Sequence, residues 1–113
     1  MGVIRLTKQF SFEMAHALYN YDGLCRNIHG HSYKLYVSII GVPNQEPFSP
    51  KLGMVMDFGV LKQILKQNII DKFDHSLALY KNENIEFLNN KGNQLFTRVH
   101  ILDFQPTAEN LIL

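Results

Sequence analysis

Cysteine occurs once in the 113 residues, at position 25, so no internal disulfide can form and a reducing, cytoplasmic compartment is implied. An excess of charge is also lacking, since eleven Lys and Arg stand against ten Asp and Glu for a formal charge of +1. Such a balance gives no general attraction for nucleic acid or an anionic membrane, and neither is expected as a partner. Missing too is any apolar run long enough to span a bilayer. The opening "MGVIRLTKQF" has no signal-peptide core, and Leu6 stands where a myristoylation signal needs Ser or Thr. Neither a repeat nor a domain linker is visible.

What is present suffices for one domain with one core, because 46% of the residues are hydrophobic and 12% aromatic. Ile4, Leu6, Phe10, Phe12, Met14 and His16 share one parity while Arg5, Thr7, Gln9, Ser11 and Glu13 share the other, which predicts a half-buried strand. From His31 a second alternation puts Tyr33, Leu35, Val37 and Ile39 on one face and ends at Gly41-Val42-Pro43. "PNQEPFSPKLG" reads as loop. Asp57 then caps a helix whose apolar positions, Phe58, Leu61, Ile64, Leu65, Ile69 and Phe73, keep helical spacing to about Asp74. "KNENIEFLNNKGN" reads as loop, "RVHILDF" as a short strand, and "PTAENLIL" as a helix start capped by Thr107. That helix is only about one turn old at Leu113, which implies a domain, 1–113, that is cut short at its C-terminus.

The stretch "CRNIHGH", 25–31, raises the question whether it binds a metal, does chemistry or simply packs. His29 and His31 lie two apart and share a face if extended, with Gly30 leaving room for close approach. Antiparallel pairing of the two strands brings His16 beside them, and three neutral imidazoles with an open fourth position form the ligand set of a catalytic zinc site. Two alternatives stand beside this: histidines satisfied by hydrogen bonds alone, and a closed structural site of Cys25 with three histidines. Asp74 and His75 follow the helix, where the dipole favours His75 and Asp74 can cap the next turn; alternatively an Asp-oriented His relays protons with an activated Cys25. His100, Met14, Met54 and Met56 read as packing.

"FSFEMAH", "CRNIHGHSYKL", "GMVMDFGVLK", "FDHSLAL" and "PTAEN" stand in the order found in the 6-pyruvoyl-tetrahydropterin synthase superfamily, which the chain resembles from about residue 5 to its end. The three residues between Cys25 and His29 look most like the bacterial 6-carboxytetrahydropterin synthases of queuosine biosynthesis. The resemblance implies an α+β tunnelling fold: an antiparallel sheet with helices on one face, joined between subunits into an oligomeric barrel, commonly a hexamer of two trimers. It implies zinc on His16, His29 and His31, and a proton-transfer group of Cys25, Asp74 and His75. Thr107 and Glu109 match positions near the pterin. The implied substrate is 7,8-dihydroneopterin triphosphate, and the implied products are 6-carboxy-5,6,7,8-tetrahydropterin, acetaldehyde and triphosphate. The pyruvoyl-forming reaction and a non-catalytic zinc-binding fragment are the alternatives. The glutamate that anchors the pterin in the family would fall beyond Leu113.

Overall fold

The structure is a computed structural model that describes residues 2–82 and 97–113. Four strands form one sheet in the order β2-β1-β3-β4. β1 spans Ile4–His16, β2 His29–Gly41, β3 Ser76–Tyr80 and β4 Val99–Leu102. Contacts divide the chain into two compact units, Met1–Ser11 with Lys34–Lys72, and Phe12–Tyr33 with Phe73–Leu113.

In the first unit, β1 and β2 show the predicted burial alternation from Leu6 onward, with Leu6, Phe10, Leu35, Val37 and Ile39 half-buried between exposed neighbours, whereas Ile4, expected on the same face, is exposed. Asp57 caps α1, Phe58–Leu65, by accepting from the Gly59 N–H at 2.8 Å, and Lys51 pairs with the same carboxylate at 2.5 Å. The helix continues through a π-helical stretch, Lys66–Ile70, into α2, Asp71–Phe73. Leu61 and Leu65 are its buried residues. The expected loop before α1 is present, and Gly53 takes φ 81 in it, where any side chain would be strained. Met54 and Met56 do not pack as expected: at 41% and 37% exposure they lie in and just after this loop, on no buried face.

The second unit holds the buried part of the sheet. Met14, Leu77, Ala78 and Leu79 are buried, with Ala15, Ala17, Val99 and Ile101 packed against Leu77 and Leu79. Phe12 stacks on Tyr33, Ser32 Oγ donates to Glu13 Oε2 at 2.6 Å, and His16 Nε2 meets His29 Nε2. One residue number rises as the other falls, so β1 and β2 are antiparallel in this unit. The expectation of a wholly antiparallel sheet is corrected beyond that pair. β3 lies parallel to β1, Met14 opposite Ser76 and His16 opposite Ala78, and β4 lies parallel to β3, Leu77 opposite Val99. The sheet is therefore mixed, within an α+β chain. Parallel partners need a long crossover, and the segment running from β1 through β2 and the helix to β3 supplies one.

β4 and α3, Ala108–Ile112, fall where the sequence predicts them, and Thr107 Oγ1 caps α3 by accepting from the Asn110 N–H at 3.2 Å. His100 is half-buried, its ring 4.9 Å from that of Phe73, which agrees with its packing role. The loop expected at 81–93 lies almost wholly outside the described residues.

Candidate metal centre

β1 ends on His16 and β2 begins on His29, so the strand pair delivers three imidazoles to one place. Their ring centroids stand 4.6 Å (His16 to His29), 5.1 Å (His16 to His31) and 4.8 Å (His29 to His31) apart. One nitrogen from each lies within 4.8 Å of the others. Two rings are held in the same manner. His16 Nδ1 is 2.6 Å from the Pro106 carbonyl oxygen, and His29 Nδ1 is 2.7 Å from that of Asn27. A carbonyl can only accept, so both Nδ1 atoms donate and both Nε2 atoms are left with lone pairs. Those two Nε2 atoms face each other at 3.0 Å.

Opposed lone pairs at that distance repel unless a proton or a cation lies between them. Neutral imidazoles whose second nitrogen donates to a peptide carbonyl are the usual arrangement of metal-bound histidines, so the donor set fits a metal ion. Burial, first of all, holds the His16 imidazole below its ordinary value, against the opposing effect of the Pro106 carbonyl; a charge on His29 or His31, were either protonated, would push it the same way. His16 therefore stays neutral, with its lone pair free to bind, near pH 7. The buried His16, half-buried His29 and exposed His31 leave the cluster open on the His31 side. Tyr33 stands beside it with its hydroxyl 3.5 Å from His16 Nδ1, and burial pushes its phenol up.

An open groove of about 540 Å³ adjoins the cluster, and Glu13, His31, Ser32, His75, Thr97 and Arg98 are among its lining residues. His31 and His75, assigned separately in the sequence, thus share one cavity. The helix ends at Phe73, and His75 follows with φ 58, a left-handed conformation uncommon outside glycine. Glu13 holds the turn from both sides, its N–H donating to Asp74 Oδ1 at 2.9 Å and its carbonyl accepting from the His75 N–H at 2.6 Å. Arg98 donates to the Asp74 carbonyl at 2.8 Å. The Asp74 carboxylate lies 3.8 Å from His75 Nε2, longer than a hydrogen bond, and the His75 side chain is 77% exposed.

The remaining expected site residues, Cys25, Thr107 and Glu109, are not among those that line this groove. Cys25 is half-buried on a short 3-10 turn, Leu24–Arg26, and its carbonyl accepts from the Leu18 N–H at 2.9 Å. Thr107 is engaged as the cap of α3, and Glu109 is exposed in that helix's first turn.

The sequence profile of 6-pyruvoyl tetrahydropterin synthase matches residues 5–112. The chain belongs to that family. It is 37% identical over 110 residues to the 6-carboxy-5,6,7,8-tetrahydropterin synthase of Haemophilus influenzae, covering 96% of this chain and 77% of that one. It is 32% identical to the protein of the same name from Rickettsia felis, covering 96% and 75%. Among solved structures, the 6-pyruvoyl tetrahydropterin synthase of Caenorhabditis elegans superposes with a TM-score of 0.62 at 26% identity, covering 98% of this chain and 72% of that one. The chain is thus homologous to lyases of the 6-carboxytetrahydropterin synthase type.

Within this family member, the groups missed by reading the sequence are peptide carbonyls and their supports: Pro106, Asn27, the Glu13 backbone and Gln105. A backbone carbonyl leaves no trace in residue type. Only the adjacency of Pro106 to the Thr107 cap hinted that this segment is rigid.

Proposed function

We propose that the chain is a zinc-dependent 6-carboxytetrahydropterin synthase. It would convert 7,8-dihydroneopterin triphosphate and water to 6-carboxy-5,6,7,8-tetrahydropterin, acetaldehyde and triphosphate on the route to queuosine. The observation that carries the reading is the pair of Nε2 lone pairs of His16 and His29 opposed at 3.0 Å, each ring turned by a peptide carbonyl, with His31 beside them. Neutral imidazoles in a three-residue set suit zinc. When bound, zinc supplies Lewis acidity toward the side-chain oxygens of the substrate.

The chain's own groups then divide the proton work. Cys25 accepts the proton released from the substrate side chain, and His75, oriented by Asp74, returns or relays protons through tautomerisation, triphosphate elimination and side-chain cleavage. The 3.8 Å separation of Asp74 and His75 is compatible with this role, because catalytic hydrogen bonds tighten when substrate binds. Thr107 and Glu109 contribute to the pterin pocket. The reading includes a cytoplasmic homohexamer with a sheet barrel, acting on a small molecule.

Incubation with 7,8-dihydroneopterin triphosphate, with trapping of acetaldehyde and chromatography of the pterins, tests the proposal. Acetaldehyde and the carboxylated pterin, both lost in Cys25→Ala, are the expected result. The likeness to the C. elegans structure favours a second reading, triphosphate elimination to a 6-pyruvoyl product, which the same chromatogram would display without acetaldehyde. Zinc binding without any turnover would leave only the non-catalytic reading.

A further inference from the structure

We infer that Gln105 is a positioning residue for the metal centre, its side-chain amide clamping the backbone of Tyr19 so that the Pro106 carbonyl stays on His16 Nδ1–H. The inference rests on the metal reading proposed above. Gln105 Oε1 accepts from the Tyr19 N–H at 2.9 Å and Gln105 Nε2 donates to the Tyr19 carbonyl at 2.8 Å. One planar amide thus satisfies both backbone groups of a residue three positions after His16. The next residue along from Gln105 is Pro106, whose carbonyl turns the His16 ring. The clamp and the oriented imidazole are therefore two sides of one short circuit, separated by three residues on one chain segment and by one on the other.

The clamp itself is braced. The Gln105 carbonyl accepts from the Thr107 N–H at 2.8 Å and from Asn110 Nδ2 at 3.0 Å, tying it to the start of α3. Pro106 is fully buried, its φ is fixed by its ring, and it has no N–H of its own to anchor it. Its carbonyl direction is set by its neighbours, chiefly Gln105 and the Thr107 cap. Without the amide, the 105–107 segment and the segment after His16 lose their direct side-chain link, and the His16 ring gains freedom that metal binding must then remove.

The test uses purified protein stripped of metal and titrated with zinc against a chromophoric chelator, and with cobalt as a spectroscopic probe. Gln105→Ala and Gln105→Met are compared with the unaltered chain, Met keeping the reach of glutamine without its hydrogen bonds. We expect one metal per chain in all three, with affinity weakened roughly three- to tenfold in both variants, less than loss of a group bonded directly to a ligand. The cobalt absorption of the variants should change while the secondary structure of the metal-free forms stays as in the parent. Parental affinity in a folded Gln105→Met protein overturns the inference, as does loss of fold in both variants, which would make the amide purely structural. If the parent binds no metal, the metal reading fails first and this inference with it. Tight binding by the parent and equal binding by the variants removes the inference alone.

Discussion

His75 occupies the position after a helix end where glycine is common, yet it carries an imidazole at φ 58 with its side chain largely in solvent. Little packing offsets that conformation, and the Glu13 carbonyl at 2.6 Å holds the His75 N–H in it. Strain of this kind gathers where a side chain is needed at one point in space. His75→Gly should therefore raise stability by about 0.5–1 kcal/mol in urea melts while abolishing turnover. A variant that melts earlier would mean the imbalance is not there. At this scale the sequence is informative about which side chains come together: His16, His29 and His31 stand out by type and spacing and meet in one cluster. It is silent on what turns those side chains, because Pro106 and Asn27 act through their peptide carbonyls.

Elements differ in legibility for a physical reason. β1 and β2 each have one buried parity, so their alternation shows in the residue types. β3 is the strand that the sequence does not announce. It lies between β1 and β4 and is buried along Ser76, Leu77, Ala78 and Leu79, so there is no polar parity to read. Leu79→Ala should cost about 2–5 kcal/mol, since the site is 4% exposed and walled by a strand on either side, and the loss is read from the urea midpoint.

The capping of α1 makes a different claim. The hydrogen bond and charge of Lys51, with the Gly59 N–H, hold the Asp57 carboxyl below its usual value. A carboxylate so depressed contributes its stabilisation above pH about 4, the unfolded value, and loses it as the pH falls through the lower folded value. Asp57→Asn keeps the capping oxygen and loses the charge. Its urea midpoint should lie below the parent's at neutral pH, and the gap should close in strong acid. A gap that widens on acidification would reverse the sign and rule out this account.

For the molecule as a whole, among the described residues no helix is long and apolar enough to cross a membrane. The family is legible in five ordered motifs, whereas the mixed sheet is not, because pairing direction depends on where connections run. If the histidine cluster takes zinc, the ion binds only the folded chain and must raise its stability, by about 2.7 kcal/mol when free zinc is a hundredfold above the dissociation constant. Calorimetry with and without a chelator measures this directly. An unchanged unfolding temperature would remove the ion from the account of the fold.

The hydrogen bond from His16 to Pro106 joins residues ninety positions apart. A ribosome adding about 5–20 residues per second needs roughly 5–18 s to travel from one to the other. Once His31 has been made, for roughly the last 4–15 s of that interval, the nascent chain carries all three imidazoles but lacks the carbonyl that orients the first of them. Metal that meets the emerging chain in that time would encounter loose ligands, and the centre would be complete only once Pro106 had been made and folded back onto His16.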